Sequence, residues 1–292
     1  MQHSWVFLSL LSAFTLATSD ALTKKVLNGN NEYLVAWFRL LFSVPFLVIL
    51  WLFIPVPRLD TEFYSAFVCA LPLEIIAMVL YIKALKFSPL SLTLPFLSLT
   101  PLFLILVSYV ILGEKVSFKG GTGIFLLLAG SYILNLREIR GGILKPFRSM
   151  TREKGSVLMI GVAIIYSITS SLGKMAIQHS SPLFFGTTYF IVLTIVFAPI
   201  ALIMGRRDIR KFIGDKNYKN LFTPGIFYSI MVVSHMLALS LTKVAYMISL
   251  KRTSIIIGVI YGYVLFKEKN IRERLAGAII MFIGFMMIVT AS

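Results

Sequence analysis

Apolar runs of about twenty residues follow one another along nearly the whole of this 292-residue chain. A helix needs about 20 mostly apolar residues to cross the hydrocarbon core of a bilayer. Because most connections between the runs are very short, consecutive helices are expected to be antiparallel. The sequence predicts ten membrane-spanning helices, at residues 5–24, 33–54, 63–85, 88–112, 118–136, 155–178, 182–204, 221–242, 244–266 and 271–291.

The composition supports an all-α integral membrane protein. Of all residues, 58% are hydrophobic and 14% are charged, whereas a soluble domain is about 45–50% apolar and about 25% charged. A soluble fold exposes too much surface to hide that excess. We therefore expect the lipid bilayer to surround the chain, in the plasma membrane. The single cysteine, Cys69, excludes an internal disulfide and is expected to be a small buried hydrophobe.

The first apolar run has two interpretations. It ends in Ala-Thr-Ser before Asp20, which resembles a signal-peptidase site. No Lys or Arg precedes the run, however, and the run has a counterpart in the second half of the chain. We interpret it as a true transmembrane helix.

The formal net charge of +16 comes mainly from short loops between the apolar runs. This placement argues against nucleic-acid binding and is typical of cytoplasmic membrane loops. Twenty of the 28 Lys and Arg residues lie on the side that holds the odd-numbered loops, and five lie on the opposite side. The positive-inside rule therefore predicts that the odd-numbered loops are cytoplasmic and that both termini are extracytoplasmic.

An internal repeat divides the chain into two five-helix halves. A shift of 154 positions places residues 81–136 on 235–290, and a shift near 150 places Leu22 and Lys24 on Leu172 and Lys174. Five is an odd number, so the two halves are expected to sit in opposite orientations, as in many transporters. We predict a first repeat at 1–136, a basic linker at 137–154 and a second repeat at 155–292. The matched pairs at the 154-residue shift include Glu114 with Glu268, Lys115 with Lys269, Gly123 with Gly277, and Gly130 with Gly284.

Ionisable groups at membrane depth are costly and usually face a cavity or a partner. Lys251 and Arg252 lie about eight residues into the ninth predicted helix, roughly 12 Å deep at 1.5 Å per residue. We expect one central aqueous pocket that offers cations to an anionic substrate. The candidate substrate-binding residues are Glu74, Tyr81, Tyr228, His235, Lys251 and Arg252.

The same residues also allow structural interpretations. Lys251 and Arg252 could form a fixed ion pair with Glu74 that holds the third and ninth helices together, and Glu74 is either a proton-coupling carboxylate or a counter-ion. His235 is either a core histidine or a ligand and proton carrier. Asp20 and Arg39, on adjacent helices, form either a structural salt bridge near the cytoplasmic mouth or a gate. No metal site and no cofactor is expected.

Two segments carry a resemblance to a known family. They are "VSYVILGEKVSFKGGTGIFLLLAGSYIL" and "YGYVLFKEKNIRERLAGAIIMFIGFMMIV", each with a Glu-Lys turn before a glycine-dotted helix. The chain resembles the ten-helix EamA-type members of the drug/metabolite transporter superfamily over essentially its whole length. The segment "WFRLL" around Arg39 also resembles their second helix, whereas Leu16-Ala17 and Lys267 depart from the family pattern. The resemblance implies a transporter, with helices five and ten as peripheral packing or homodimer contacts.

A second likeness concerns the ninth helix. The segment "SLKRTSIIIGVIYGYVLF" resembles the Lys-Arg segment of plastid phosphate translocators, which belong to the same superfamily. That resemblance implies that Lys251 and Arg252 bind an anion and that Tyr228 assists.

The expected function is secondary transport of a small polar organic metabolite, anionic or amino-acid-like, by alternating access, as an exporter or exchanger. The alternatives are a flippase for a lipid-linked phosphate or other amphiphile, and multidrug efflux. An enzyme is not expected, because the sequence has no paired carboxylates or His-rich cluster at ligand spacing and no phosphate-binding glycine loop.

Overall fold

The computed structural model describes residues 4–87, 96–134, 154–266 and 275–291, and within these ranges the chain is helical without strands. The helices are α1 (Ser4–Leu27), α2 (Glu32–Leu52), α3 (Thr61–Phe87), α4 (Thr100–Leu112), α5 (Phe118–Leu134), α6 (Lys154–Gln178), α7 (Pro182–Gly205), α8 (Ile209–Gly214), α9 (Phe222–Leu241), α10 (Val244–Lys251), α11 (Ser254–Phe266) and α12 (Leu275–Val289), with a 3₁₀ turn at Asn217–Leu221 before α9.

Six helical segments of the described chain are long and apolar enough to cross a bilayer: α1, α2, α3, α6, α7 and the 3₁₀ turn together with α9. The helix Thr100–Leu112 and the segments Phe118–Ile133 and Gly277–Val289 are shorter apolar helices. The chain is therefore a multi-pass helical membrane protein. Two details differ from the sequence analysis. Cys69 is exposed rather than buried, and the stretch between the seventh and eighth predicted spans, 205–220, contains α8 and most of the 3₁₀ turn.

The fourth predicted helix contains a turn. Phe96 and Leu97 are helical, Ser98 and Leu99 form a turn, and α4 begins at Thr100. Pro101 has no N–H to donate to the carbonyl of Leu97, four residues earlier. The hydroxyl of Thr100 donates to that carbonyl instead, over 2.7 Å. The proline thus explains why the helix is interrupted here.

The ninth predicted helix, 244–266, is also two helices, α10 and α11. Its break at Arg252 and Thr253 lies 154 residues after the break at Ser98 and Leu99. The Thr253 N–H donates to the carbonyl of Leu250, 3.0 Å away, so a tighter turn replaces the α-helical hydrogen bond. The Thr253 hydroxyl donates to the same carbonyl over 2.8 Å and competes with helix continuation. Both halves therefore interrupt the same helix at the same position.

The four most extensive helix contacts are related by exchange of the two halves. Helix α1 packs against α9, and α6, the counterpart of α1, packs against α3, the counterpart of α9. The other two join counterparts directly, α2 with α7 and α5 with α12. An approximate dyad between the halves accounts for these four pairs. The smaller contacts are less symmetric, because α2 packs against α9 more extensively than α7 packs against α3.

Helices α5 and α12 cross in antiparallel directions at their glycines. A Cβ atom on Gly123 would lie 2.8 Å from the carbonyl oxygen of Gly284, and one on Gly130 would lie 2.7 Å from that of Gly277. Such distances allow only glycine, so the two backbones are in direct contact. The glycines that repeat in the sequence therefore pack the two halves against each other.

Polar contacts sort the loops into two faces. On the first face, Asn31 before α2 donates to Asp208 before α8, over 2.8 Å. Glu32 at the start of α2 pairs with Lys86 at the end of α3, at 2.5 Å. These contacts join the first, third and seventh loops, which the sequence places on one side.

On the second face, His179 after α6 lies 2.6 Å from Asp60 before α3. Glu114, between α4 and α5, accepts from the N–H of Val244 at the start of α10, over 2.9 Å. This face therefore collects the second, fourth, sixth and eighth loops.

Candidate functional site

A central cavity lies between the two halves, with an empty volume of about 900 Å³ that includes the part open to solvent. Its walls come from α1, α2, α3, α6, α7, α9 and α10, with Leu97 from the turn before α4 and Arg252 from the break after α10. None of the described wall residues belongs to α5 or α12. All eight residues singled out from the sequence line this cavity, namely Asp20, Arg39, Glu74, Tyr81, Tyr228, His235, Lys251 and Arg252.

Asp20 is the centre of a charge-balanced polar cluster. Its Oδ1 accepts from Arg39 Nη1 at 2.8 Å, and its Oδ2 accepts from the Tyr81 hydroxyl at 2.8 Å. The Arg39 guanidinium also lies over the Tyr228 ring, with Cζ 4.7 Å from the centroid, and its Nε is buried with no hydrogen-bond partner. Asp20 and Arg39 thus form an ion pair in the wall of the cavity, and their charges compensate each other.

Lys251 has only neutral partners among the described residues. Its Nζ lies 3.0 Å from Nδ1 of His235 and 3.3 Å from the sulfur of Met231. Within the described ranges no carboxylate oxygen lies within 4.0 Å of it. The lysine therefore presents a charge that the surrounding protein does not neutralise by direct contact.

Arg252 is in a similar state. It is 5% exposed, its Nη2 donates to the Thr100 hydroxyl over 3.0 Å, and its Nε is buried with no hydrogen-bond partner. Since Thr100 opens α4, this contact joins the two interrupted helices. The Nε of Arg39 is unmatched in the same way, but Arg39 has a carboxylate partner. None of the described carboxylates lies within 4.0 Å of Arg252, so its charge is not compensated by direct contact.

Glu74 enters the cavity from α3, where it faces the Thr169 hydroxyl of α6. Among the residues that the structure covers, it forms no ion pair with either Lys251 or Arg252 within 4.0 Å. The fixed ion pair that would have held the third and ninth helices together is therefore not present in this conformation. Opposite charges share one cavity without contacting each other.

Aromatic side chains complete the walls, and the sequence analysis did not identify most of them. Tyr166 lies 6.5 Å from Tyr81 between ring centroids, and Phe190 lies 5.7 Å from Tyr228, edge to face. The hydroxyl of Tyr189 is buried and has no hydrogen-bond partner. These rings offer apolar faces beside the charged groups, together with one hydroxyl available for a hydrogen bond.

The repeat provides a signal that would have identified some of them. At the 154-residue shift Glu74 corresponds to Tyr228 and Tyr81 corresponds to His235. At the 150-residue shift Arg39 corresponds to Tyr189. Positions that face the cavity in one half thus face it in the other, although their chemistry differs.

A separate polar group lies on the second face, outside the cavity. Asp60, Glu62 and His179 bring one potential metal-ligand atom each to within 4.8 Å of one another. The N–H of Phe63 donates to Asp60 Oδ1 over 3.0 Å, so Asp60 caps α3. This bond, and then the adjacent His179 ring, lower the pKa of the Asp60 carboxyl. Capping and pairing account for these contacts without a metal.

Apolar helices that enclose a charged central cavity define a multi-pass membrane protein with the architecture of a small-molecule carrier. The sequence profile of the EamA-like transporter family matches this chain twice, over residues 3–136 and 153–290. The chain belongs to this family and is thereby a membrane transporter of small molecules.

The fold also matches known structures. One solved crystal structure superposes with a TM-score of 0.78 over 100% of both chains at 13% sequence identity. At that identity the likeness concerns the fold alone. No curated protein sequence matches the chain.

Proposed function

We propose that this protein is a secondary transporter in which two inverted five-helix repeats, 1–136 and 155–292, alternate around the central cavity and form ten spans. The symmetric packing of the halves and the antiparallel crossing of α5 and α12 support this arrangement. The interrupted fourth and ninth helices support it as well, because broken helices typically supply the binding site of such carriers. In this proposal residues 137–154 link the two repeats.

The observation that carries the substrate assignment is the charge pattern of the cavity. Lys251 and Arg252 face the cavity without a carboxylate partner, and Glu74 faces it without a cationic one, within the described residues. Uncompensated charges at membrane depth are costly. A ligand with an acidic group, or with acidic and amino groups together, would compensate them. We infer a small anionic or amino-acid-like metabolite as substrate.

The charged and aromatic groups of the cavity wall also limit which kinds of substrate can bind. Arg252 offers a planar fork that suits a carboxylate or phosphate, and Lys251 adds a point charge beside it. The unmatched Tyr189 hydroxyl and the neighbouring rings suit a substrate that has an organic body as well as an acidic group. A cavity lined by both halves fits a carrier for such a molecule better than a groove open sideways to lipid.

Two roles in the cycle follow from the contacts. The Asp20–Arg39–Tyr81 cluster joins α1, α2 and α3 at the wall of the cavity, so it acts as a gate if these helices separate. Glu74 and His235 are the groups in the cavity that would accept a proton from solvent and couple its movement to transport.

A ligand panel on purified protein tests the assignment. Carboxylates, phosphate esters and amino acids are screened by thermal shift on the unmodified protein, Lys251→Ala, Arg252→Ala and the control Lys119→Ala. Lys119 is exposed and donates to the carbonyl of Thr290, far from the cavity walls. We expect stabilising ligands to act on the control and to lose their effect on the two cavity variants. Anion-dependent stabilisation that survives both cavity substitutions would remove the assignment.

Exchange of ligand across proteoliposomes tests whether the protein transports what it binds. Proteoliposomes preloaded with an unlabelled stabilising ligand should take up the labelled ligand faster than empty ones, as expected for exchange by alternating access. A ligand that binds but shows no saturable exchange would contradict secondary transport while leaving the binding site intact.

A further inference from the structure

Lys174 is a buried charge that has no role in the transport cycle proposed above. It lies on α6, one residue after the cavity wall residue Gly173, and is 6% exposed. Its Nζ is 3.5 Å from Oε1 of Glu114 and donates to the carbonyl of Thr242. A lysine at this depth is costly unless it is paired, so the contacts with Glu114 and Thr242 hold it in place.

Glu114 belongs to the first half, and both of its carboxylate oxygens contact residues of the second half. It follows Gly113, whose φ of 68° turns the chain at the end of α4. Its Oε2 accepts from the N–H of Val244, the first residue of α10. The cap residue of α10, Lys243, makes no capping hydrogen bond to the helix with its own side chain. The carboxylate of the first half therefore caps α10, where the helix dipole also favours a negative charge.

The capped helix carries the cavity cations. α10 is eight residues long, ends at Lys251 and is followed directly by Arg252. At a rise of about 1.5 Å per residue, this helix is only about 12 Å long. Because a helix this short moves as a rigid body, a displacement of its first turn also displaces its last turn. The position of Lys251 in the cavity thus depends on where Glu114 holds Val244.

The other contacts of charged side chains that the structure describes between the halves on the second face are exposed. His179 and Asp60 lie 2.6 Å apart but their side chains are 35% and 48% exposed, and Lys243 Nζ donates to the carbonyl of Lys115 in an exposed contact. Exposed pairs contribute little to stability. The buried pair of Lys174 and Glu114 is therefore the charged contact of this face whose loss matters most.

We propose that Glu114 and Lys174 are positioning residues that hold α10, and with it Lys251, against the first half and keep the second face closed. The inference rests on the proposed alternating access, because it assigns the contact that must break when the halves separate on this face. Loss of either charge shifts the protein toward a conformation that is open at this face.

Cysteine accessibility measures that shift. In a Cys69→Ser background, Ser170→Cys places a thiol in the cavity wall one turn before Lys174. Its labelling by a membrane-impermeant maleimide is followed on purified protein that carries Glu114→Gln, Lys174→Gln or Lys174→Arg. We expect labelling to be about tenfold faster in the two Gln variants, since about 1.4 kcal/mol changes a conformational ratio tenfold. Lys174→Arg retains the charge and should stay within about threefold of the parent.

The matched control is the Glu32–Lys86 pair, which joins α2 and α3 within the first half on the opposite face. Glu32→Gln and Lys86→Gln should leave the labelling rate unchanged. The proposal is overturned if these control variants accelerate labelling as much as Glu114→Gln and Lys174→Gln do. It is also overturned if Glu114→Gln and Lys174→Gln both leave the labelling rate unchanged, provided that at least one of them elutes as a monodisperse, folded protein. If the rates are flat while ligands still stabilise the protein through Lys251 and Arg252, the positioning role fails and the proposed function stands.

Discussion

At the scale of residues, the buried charges of the cavity fall into two groups. Asp20 and Arg39 compensate each other at 2.8 Å, and Tyr81 satisfies the second carboxylate oxygen. Lys251 and Arg252 are held by neutral atoms, the His235 ring, the Met231 sulfur and the Thr100 hydroxyl. The charges of the first group balance without a ligand and those of the second do not. We therefore expect a structural or gating role for the first group and a binding role for the second.

A double-mutant cycle on the first group checks its energetic coupling. Asp20→Asn leaves Arg39 buried without its anion, and Arg39→Met leaves Asp20 without its cation. Breaking a buried pair by removing one partner costs about 3–5 kcal/mol. We expect each single variant to lose about that much stability and the double variant to lose clearly less than the sum. Unfolding by denaturant in detergent micelles measures the three values, and strictly additive losses would show that the ion pair is not coupled.

The sequence identified the charged residues that line the cavity and missed most of the uncharged ones. A charge inside an apolar run is conspicuous because lipid excludes it, which is why Glu74, Lys251 and Arg252 could be selected. A tyrosine in such a run fits either a lipid-facing or a cavity-facing position, so Tyr166 and Tyr189 gave no comparable signal. The contacts of Lys251 with His235 and of Arg252 with Thr100 depend on how helices approach one another, which spacing does not determine.

At the scale of elements, long apolar runs predicted the helices well where the run is continuous. The predicted spans 5–24, 33–54 and 182–204 correspond to Ser4–Leu27, Glu32–Leu52 and Pro182–Gly205. The break at Arg252 and Thr253 was missed, because a two-residue turn leaves the hydropathy of the run unchanged. Pro101 was a visible signal for the break before α4, since a proline has no N–H to bond the carbonyl four residues earlier.

The crossing of α5 and α12 leads to a prediction about one glycine. A Cβ on Gly123 would meet the Gly284 carbonyl at 2.8 Å, whereas a Cβ on Gly121 would find its nearest neighbour, a methyl of Val116, at 4.0 Å. Alanine is favoured over glycine within a helix by about 1 kcal/mol. Gly121→Ala should therefore be neutral or stabilising.

Gly123→Ala should destabilise by about 1–3 kcal/mol, because overpacking forces two backbones apart. Thermal melts of the two variants in the same detergent compare them directly. Equal melting temperatures would mean that the glycines do not determine the approach of α5 and α12.

At the scale of the whole molecule, contacts and loop charges describe the same two faces. The first face includes the six basic residues of 205–220, all of them exposed. Its polar contacts, Asn31 with Asp208 and Glu32 with Lys86, join loops that the sequence had grouped on the basic side. The second face carries Asp60, His179 and Glu114 with fewer cations. The asymmetry of charge is thus a property of the folded molecule as well as of the sequence.

This asymmetry predicts the orientation in the membrane. Excess Lys and Arg near the ends of spans remain in the cytoplasm, so the first face should be cytoplasmic. If the chain forms the ten spans proposed above, both termini then lie on the other side. A reporter that is active only in the cytoplasm, fused after Ser292, should be silent, and one fused within the 205–220 loop should be active. Activity of the C-terminal fusion together with silence of the loop fusion would invert the assignment, and the second face, with Glu114 and Lys174, would then open to the cytoplasm.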